Sequence, residues 1–179
     1  PSRTECLQCH TAAAGFSLGV ESMQLNGDFT YPSTGRTANQ LDTLEHIGMF
    51  SAPLSAAATA AALTDSRDQS VMISARARSY LHSNCANCHR PGGTTQSTMD
   101  LRFLTPLDRM NICNVDPQQG TLDINQAKLL APRDPAKSIL LERISRNDQT
   151  RMPPVGSNIL DGGAITLLTN WINSIQACP

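Results

Sequence analysis

Two copies of one five-residue pattern, Cys-x-x-Cys-His, constrain this chain more than anything else in it. The first lies in ECLQCHT, with Cys6, Cys9 and His10, and the second in NCANCHRPGG, with Cys85, Cys88 and His89. The whole chain has six cysteines and four histidines, so most of both residue types is committed to these two places. Two thiols three positions apart can each add to a vinyl group of one porphyrin, and the histidine that follows is then held beneath the ring as an iron ligand. A redox dithiol needs no histidine there, and a zinc knuckle has no reason to place its ligands in this order. The pentads also stand too far apart for one local zinc ribbon. They predict two covalently bound haem c groups, with Cys6, Cys9, Cys85 and Cys88 as attachment points and His10 and His89 as proximal iron ligands.

Cys113 and Cys178 are left over once the pentads are assigned, and they form a natural disulfide pair. Thioether-bound haem and a structural disulfide both call for export, which predicts a periplasmic or extracellular protein. The chain opens on PSRTEC with no leader ahead of it. It reads as a processed mature form or a piece of something longer.

Composition narrows the partners. The formal net charge is -1, from fourteen basic and fifteen acidic residues, and with no run of like charges the chain is not a nucleic-acid binder. No stretch is long and apolar enough for a transmembrane segment; SAPLSAAATAAALT comes nearest and is short and alanine-rich. Aromatic side chains make up 4% of the chain, thin packing material for two small domains unless a large apolar cofactor completes each core.

The periodicity predicts a mainly α fold with long loops. TAAAGFSLGVESMQLNGDFTYPSTG carries turn signals at Asn26-Gly27, Pro32 and Gly35 and reads as loop. TANQLDTLEHIGMF spaces Leu41, Leu44, Ile47 and Phe50 for an amphipathic helix capped by Thr37 or Asn39 and stopped by Pro53. A second helix, SVMISARARSYLHSN, runs into the second pentad. A third begins at Asp134-Pro135 and carries Ile139, Leu140 and Ile144, and a last one behind Asp161 carries Ile165, Leu168, Trp171, Ile172 and Ile175. Between them RPGGTTQSTMDLRFLTPLDRMNICNVDPQQG is loop, with at most a short extended piece at 100–104. A polar stretch around 64–69 suggests two domains, 1–66 with the first haem and 67–179 with the second. The halves share only the pentad and form no tandem repeat.

An iron with one ligand fixed by its pentad has a sixth position that decides its chemistry: a second protein ligand closes it for electron transfer, and an empty site invites small molecules. For the second haem the candidate is Met152 in RMPPVG, where two prolines fix the backbone behind the thioether. Against this stands the commoner fate of methionine, filling gaps in a core.

From about Ser70 onward, the order helix, NCANCH, loop, RMPPVG and a final helix with NWI resembles the class I cytochrome c fold. The resemblance implies Met152 as distal ligand. Over the whole chain ECLQCHTAAAG, QLN, NQL, YLHSNCANCHRPGG, MDLRF, PRDPAKSIL and RMPPVG resemble a bacterial family of exported dihaem c-type cytochrome domains. Members of that family often carry other domains ahead of the haem part, which implies that this chain is a C-terminal portion of a longer protein.

No MPP segment serves the first haem. Its sixth ligand is drawn from His46, which borders the apolar stripe of its helix, Met49, Met23, His82, or a residue of a neighbouring subunit. Arg78, Arg90, Arg102 and Arg151 lie near these motifs and are available to haem carboxylates, against the usual fate of arginine at a surface. The function expected is that of a dihaem electron carrier without enzymatic activity, passing single electrons between exported redox proteins or from a dehydrogenase, or stacking its haems through self-assembly. The alternative is a peroxidase with one open haem, for which Glu5 and His46 are the available acid and base groups.

Overall fold

The computed structural model describes residues 2–179, which divide into two compact units. Residues 19–64 form one; the other is discontinuous and joins 2–18 to 65–179. The break before Asp65 falls in a polar stretch, whereas the break after Leu18 carries no compositional signal.

The larger unit opens with α1 (Arg3–Cys9), held by a reciprocal cap in which the Ser2 hydroxyl accepts from the Glu5 N–H and the Glu5 carboxylate accepts from the Ser2 N–H. Within the 19–64 unit, α2 (Ser22–Leu25) precedes an antiparallel hairpin of β1 (Asp28–Tyr31) and β2 (Arg36–Asn39), with Phe29 opposite Ala38 and Thr30 opposite Thr37. The Thr30 and Thr37 hydroxyls hydrogen-bond at 2.8 Å, and the rings of Phe29 and Tyr31 meet edge to face at 5.2 Å. Then follow α3 (Gln40–His46) and α4 (Ala56–Thr59). Asn26 ties the unit together, donating to the Thr59 and Ala61 carbonyls and accepting from the Asn39 side chain.

Asn39 caps α3 through the Leu41 N–H at 2.9 Å. The helix ends at His46, well before Pro53, because Gly48 takes a left-handed conformation (φ 71°) and a Schellman turn forms: Gly48 N–H reaches Glu45 O and Met49 N–H reaches Leu44 O.

In the larger unit α5 (Ile73–Cys85) packs against α7 (Gly162–Ser174), and the shorter α6 (Ile139–Ile144) joins them. Asp161 caps α7, its carboxylate accepting from the Ala164 N–H at 2.9 Å. Ala77 and Leu81 from α5 meet Leu168, Trp171 and Ile172 from α7 in one core, completed by Leu101, Met110, Ile112 and Leu130 from the intervening loops. Pro135 starts a single 3-10 turn rather than α6 itself; Ser138 separates the two, fully buried, with its hydroxyl donating to Asp134 O and accepting from Ala131 N–H. Cys113 and Cys178 are joined by a disulfide that ties the end of the chain to the central loops.

The mainly α, class I cytochrome c-like architecture expected from periodicity and resemblance is not what the chain adopts. About 35% of the residues are helical and 7% lie in strands or bridges, so turns and irregular backbone predominate. Only α5 and α7 exceed seven residues among the described residues. The cause is local. From 90 to 138 the backbone is a succession of turns, with Asn111, Asn114, Leu122, Asp123, Gln126 and Arg133 all at positive φ, and two isolated parallel bridges, Cys113 with Leu130 and Lys128 with Ser138, take the place of helix. The hairpin's first strand and turn lie in the stretch to Gly35 read as loop, and β2 takes Arg36–Asn39, where the helix was expected to start; β-favouring Phe, Thr and Tyr flank the turn at Pro32 to Gly35, a strand signal too short to register as alternation. No strand forms at 100–104.

Candidate functional site

The helical turn that ends α5 continues through the second pentad, with Cys88 N–H and His89 N–H both bonded to the Cys85 carbonyl, at 3.1 and 2.9 Å. That turn sets the Cys85 and Cys88 thiols and the His89 ring along one side. The chain then reverses at Gly92-Gly93. A Cβ at Gly93 would stand 2.0 Å from the Cys88 carbonyl oxygen, so no larger residue fits while the turn holds its shape.

Two adjoining cavities open on this face. One, about 280 Å³, has an apolar wall that includes Leu101, Leu129, Leu140 and Ile144. The other, about 540 Å³, runs past Cys88 and Asn84 to Pro153, Pro154 and Val155. Cys85, His89 and Met152 line both. Together they have the size and apolar character of a cofactor site, which typically spans roughly 300–1,000 Å³. Met152 is brought here by α6: its N–H donates to the Arg143 carbonyl at 3.0 Å, so the RMPPVG loop is pinned to the segment that supplies the opposite wall.

Burial pushes the Cys85 thiol up to about 12, with the neighbouring Cys88 adding to the effect. Cys88 is raised too, by burial first and then by the adjacent Cys9 thiol. Both stand as protonated S–H groups at neutral pH. Burial, with Arg143 nearby, holds the His89 imidazole below its usual range and therefore neutral, so that a ring nitrogen keeps its lone pair. Its Nδ1 is buried without a hydrogen-bond partner.

The first pentad is arranged differently. Cys6 and His10 are exposed, and Cys9 is half-buried, lining the larger cavity beside Gln8 and Leu18. His10 Nδ1 lies 2.6 Å from the Phe16 carbonyl oxygen. A carbonyl can only accept, so Nδ1 carries the proton and Nε2 has the free lone pair. The donor sets of both pentads, two thiols and an imidazole each, fit an iron porphyrin held by thioethers.

The structure thus gathers Cys85, Cys88, His89, Met152 and Cys9 around adjoining cavities. The candidates for the first sixth position are dispersed. His46 closes α3 and Met49 follows it, both exposed and both in the 19–64 unit, which also contains the half-buried Met23. His82 is buried in the larger unit, its Nδ1 accepting from the Phe103 N–H at 3.0 Å. Glu5 is engaged in the cap of α1, where the Ser2 N–H holds its carboxyl below the ordinary range.

The arginines near the motifs in sequence are engaged by the protein's own groups. Arg78 donates to the Phe103 and Thr105 carbonyls, Arg90 to Ala86 and Ala13, Arg102 to Asp100, and Arg151 to Ser157 and Pro154. The arginine that lines the smaller cavity is Arg143, held by the Thr150 and Gln119 carbonyls at 2.9 and 2.6 Å, among Gln96, Gln118 and Gln119. Its signal was available: on α6 it follows Ile139 by four residues and Leu140 by three, the spacing of one helix face.

The chain matches no protein-family model, and no curated protein or solved structure matches it. Among the described residues, no helix is long and apolar enough to cross a membrane.

Proposed function

We propose that this protein is a dihaem c-type electron carrier of an exported compartment. The observation that carries the reading is the convergence of Cys85, Cys88, His89 and Met152 on the same apolar cavities from two distant segments of the chain. Each haem supplies one-electron exchange at its iron. The protein's part is binding, orientation and exclusion of water.

Cys85 and Cys88 would tether the second group by thioether bonds, His89 would offer a neutral imidazole, and Met152 a thioether from the RMPPVG loop. Leu101, Leu129, Leu140 and Ile144 would give the group an apolar, water-excluding wall. Arg143, with its guanidinium already oriented by two carbonyls, meets a carboxylate at the polar end. For the first group Cys6 and Cys9 would be the tethers and His10 the imidazole ligand. A Cys113–Cys178 disulfide supports an oxidising compartment, periplasmic or extracellular, and partners that are themselves redox proteins or a dehydrogenase.

The test is the intact mass and reduced spectrum of protein matured in a host with cytochrome c assembly machinery. Two covalent haems and a c-type α-band are expected; a haem-free chain under those conditions sinks the proposal. Carbon monoxide binding separates a carrier from a peroxidase, because a closed pair of irons resists it.

A further inference from the structure

The first pentad sits against the second. Gln8, Cys9 and Leu18 line the same cavity of about 540 Å³ as Cys85, Cys88, His89 and Met152. The N-terminal segment is fastened there by contacts that bridge most of a hundred residues of sequence. Thr94 Oγ1 donates to the Gln8 carbonyl at 2.7 Å, and Arg90 Nη1 donates to the Ala13 carbonyl at 3.2 Å. The Cys88 sulfur faces the Gln8 carbonyl at 4.0 Å, next door to Cys9. Gly92 belongs to this seam as well, since a Cβ there would touch the Ala13 methyl at 3.7 Å.

Each contact links residues 8–13 to residues 88–94, so the seam is made by the pentads and their immediate flanks. The second thiol of one motif and the second thiol of the other open on one space. A thioether bond is short and allows its porphyrin edge little travel from the sulfur. Groups tethered at Cys9 and at Cys88 therefore start from a common wall.

We propose that the two motifs build one composite dihaem site, in which residues 8–18 wall the second haem's cavity and the two haems are close neighbours with coupled charge and optical transitions. This rests on the dihaem reading above and adds that the centres are not independent. Adding a positive charge at one iron, by removing an electron, raises the cost of removing an electron from the other across a water-poor gap. Two strongly absorbing rings held close and at a fixed angle also share their excitation.

The deciding experiment uses the matured full chain, with haems first counted by intact mass. With two haems present, the expected results are a two-lobed Soret circular dichroism band and ferric electron paramagnetic resonance signals broadened by mutual interaction, which sharpen in the half-reduced protein. The Cys6→Ala/Cys9→Ala protein should carry one haem, a single-signed Soret band and a shifted potential for the Met152 centre. Two counted haems whose Soret dichroism is single-signed, and whose resonance spectrum is the sum of two isolated centres, would overturn this proposal while leaving the dihaem reading intact. Fewer than two haems in the wild-type chain overturn both. Should the double variant not fold, the comparison of oxidised and half-reduced wild-type protein still decides.

Discussion

His10 and Phe16 are joined through Nδ1 and a main-chain carbonyl at 2.6 Å, while the equivalent nitrogen of His89 has no partner. A hydrogen bond donated by the far ring nitrogen makes an imidazole a more basic ligand and favours the more positive, oxidised iron. The first centre should therefore have the lower potential, and electrons entering there should come to rest at the second. Potentiometric titration of the wild type beside the Cys6→Ala/Cys9→Ala protein checks this; loss of the higher-potential wave in that variant contradicts it.

On the proposed dihaem reading Met152 would contribute the other half of that difference, since methionine ligation raises a haem's potential relative to histidine. Met152→His should lower the upper potential by an appreciable fraction of the about 0.8 V range that axial ligands command. It should also remove the weak sulfur-to-iron absorption near the red edge. Met152→Ala should open the second iron to carbon monoxide. If that band and the upper potential both survive in Met152→Ala, the thioether is a packing group.

What could be read from the chain and what could not divide along a physical line. The Cys-x-x-Cys-His spacing needs no fold to be noticed, and α7 announced itself because Asp161 caps a long periodic run. The hairpin did not, since four-residue strands leave too little alternation to detect. Nor did the turns between 90 and 138, where non-glycine residues such as Leu122 and Arg133 adopt positive φ under tertiary constraint that no propensity encodes. The cavity was legible in Cys85, His89 and Met152, whose chemistry is scarce. It was not legible in Arg143, one arginine among many, or in Gln8 and Leu18, whose place depends on contacts from far along the chain.

The Cys113–Cys178 bridge spans 65 residues and encloses α6, the RMPPVG loop and α7. Closing a loop of that length stabilises the folded chain by about 4 kcal/mol in the chain-entropy model. Cys113→Ala/Cys178→Ala should lower the denaturation midpoint accordingly, with the haem count unchanged. Non-reducing peptide mapping provides the independent check, because alkylation of both thiols in the native protein rules the bridge out.

Asp100 supplies an acid-sensitive element. Its carboxylate accepts from Arg102 Nε at 2.9 Å and Nη2 at 2.6 Å and from Thr105 Oγ1 at 3.0 Å, and these bonds, Arg102 foremost, hold its pKa below the ordinary value despite burial. A carboxyl more acidic folded than unfolded stabilises the fold above its unfolded pKa of about 3.9. That contribution disappears as pH falls through the lower, folded value. Asp100→Asn should cost about 1–3 kcal/mol at pH 7 and progressively less below about pH 4. Chemical denaturation of the two proteins from pH 7 to pH 2 tests it, and a gap that stays constant across the range refutes it.

The discontinuous unit sets a timetable. Residues 2–18 are made before the rest of their unit, yet Ala13 waits for Arg90 and Gln8 for Thr94, 77 and 86 positions later. At about 5–20 residues per second of synthesis, the wait is roughly 4 to 17 seconds. Throughout that interval the CLQCH thiols have no seam to close on, whereas CANCH gains its glycine turn, and the arginine and threonine that grip the N-terminal strap, within a few residues of emerging. The motif born first is thus locked last, and its cysteines face the longest exposure to whatever thiol chemistry their surroundings offer.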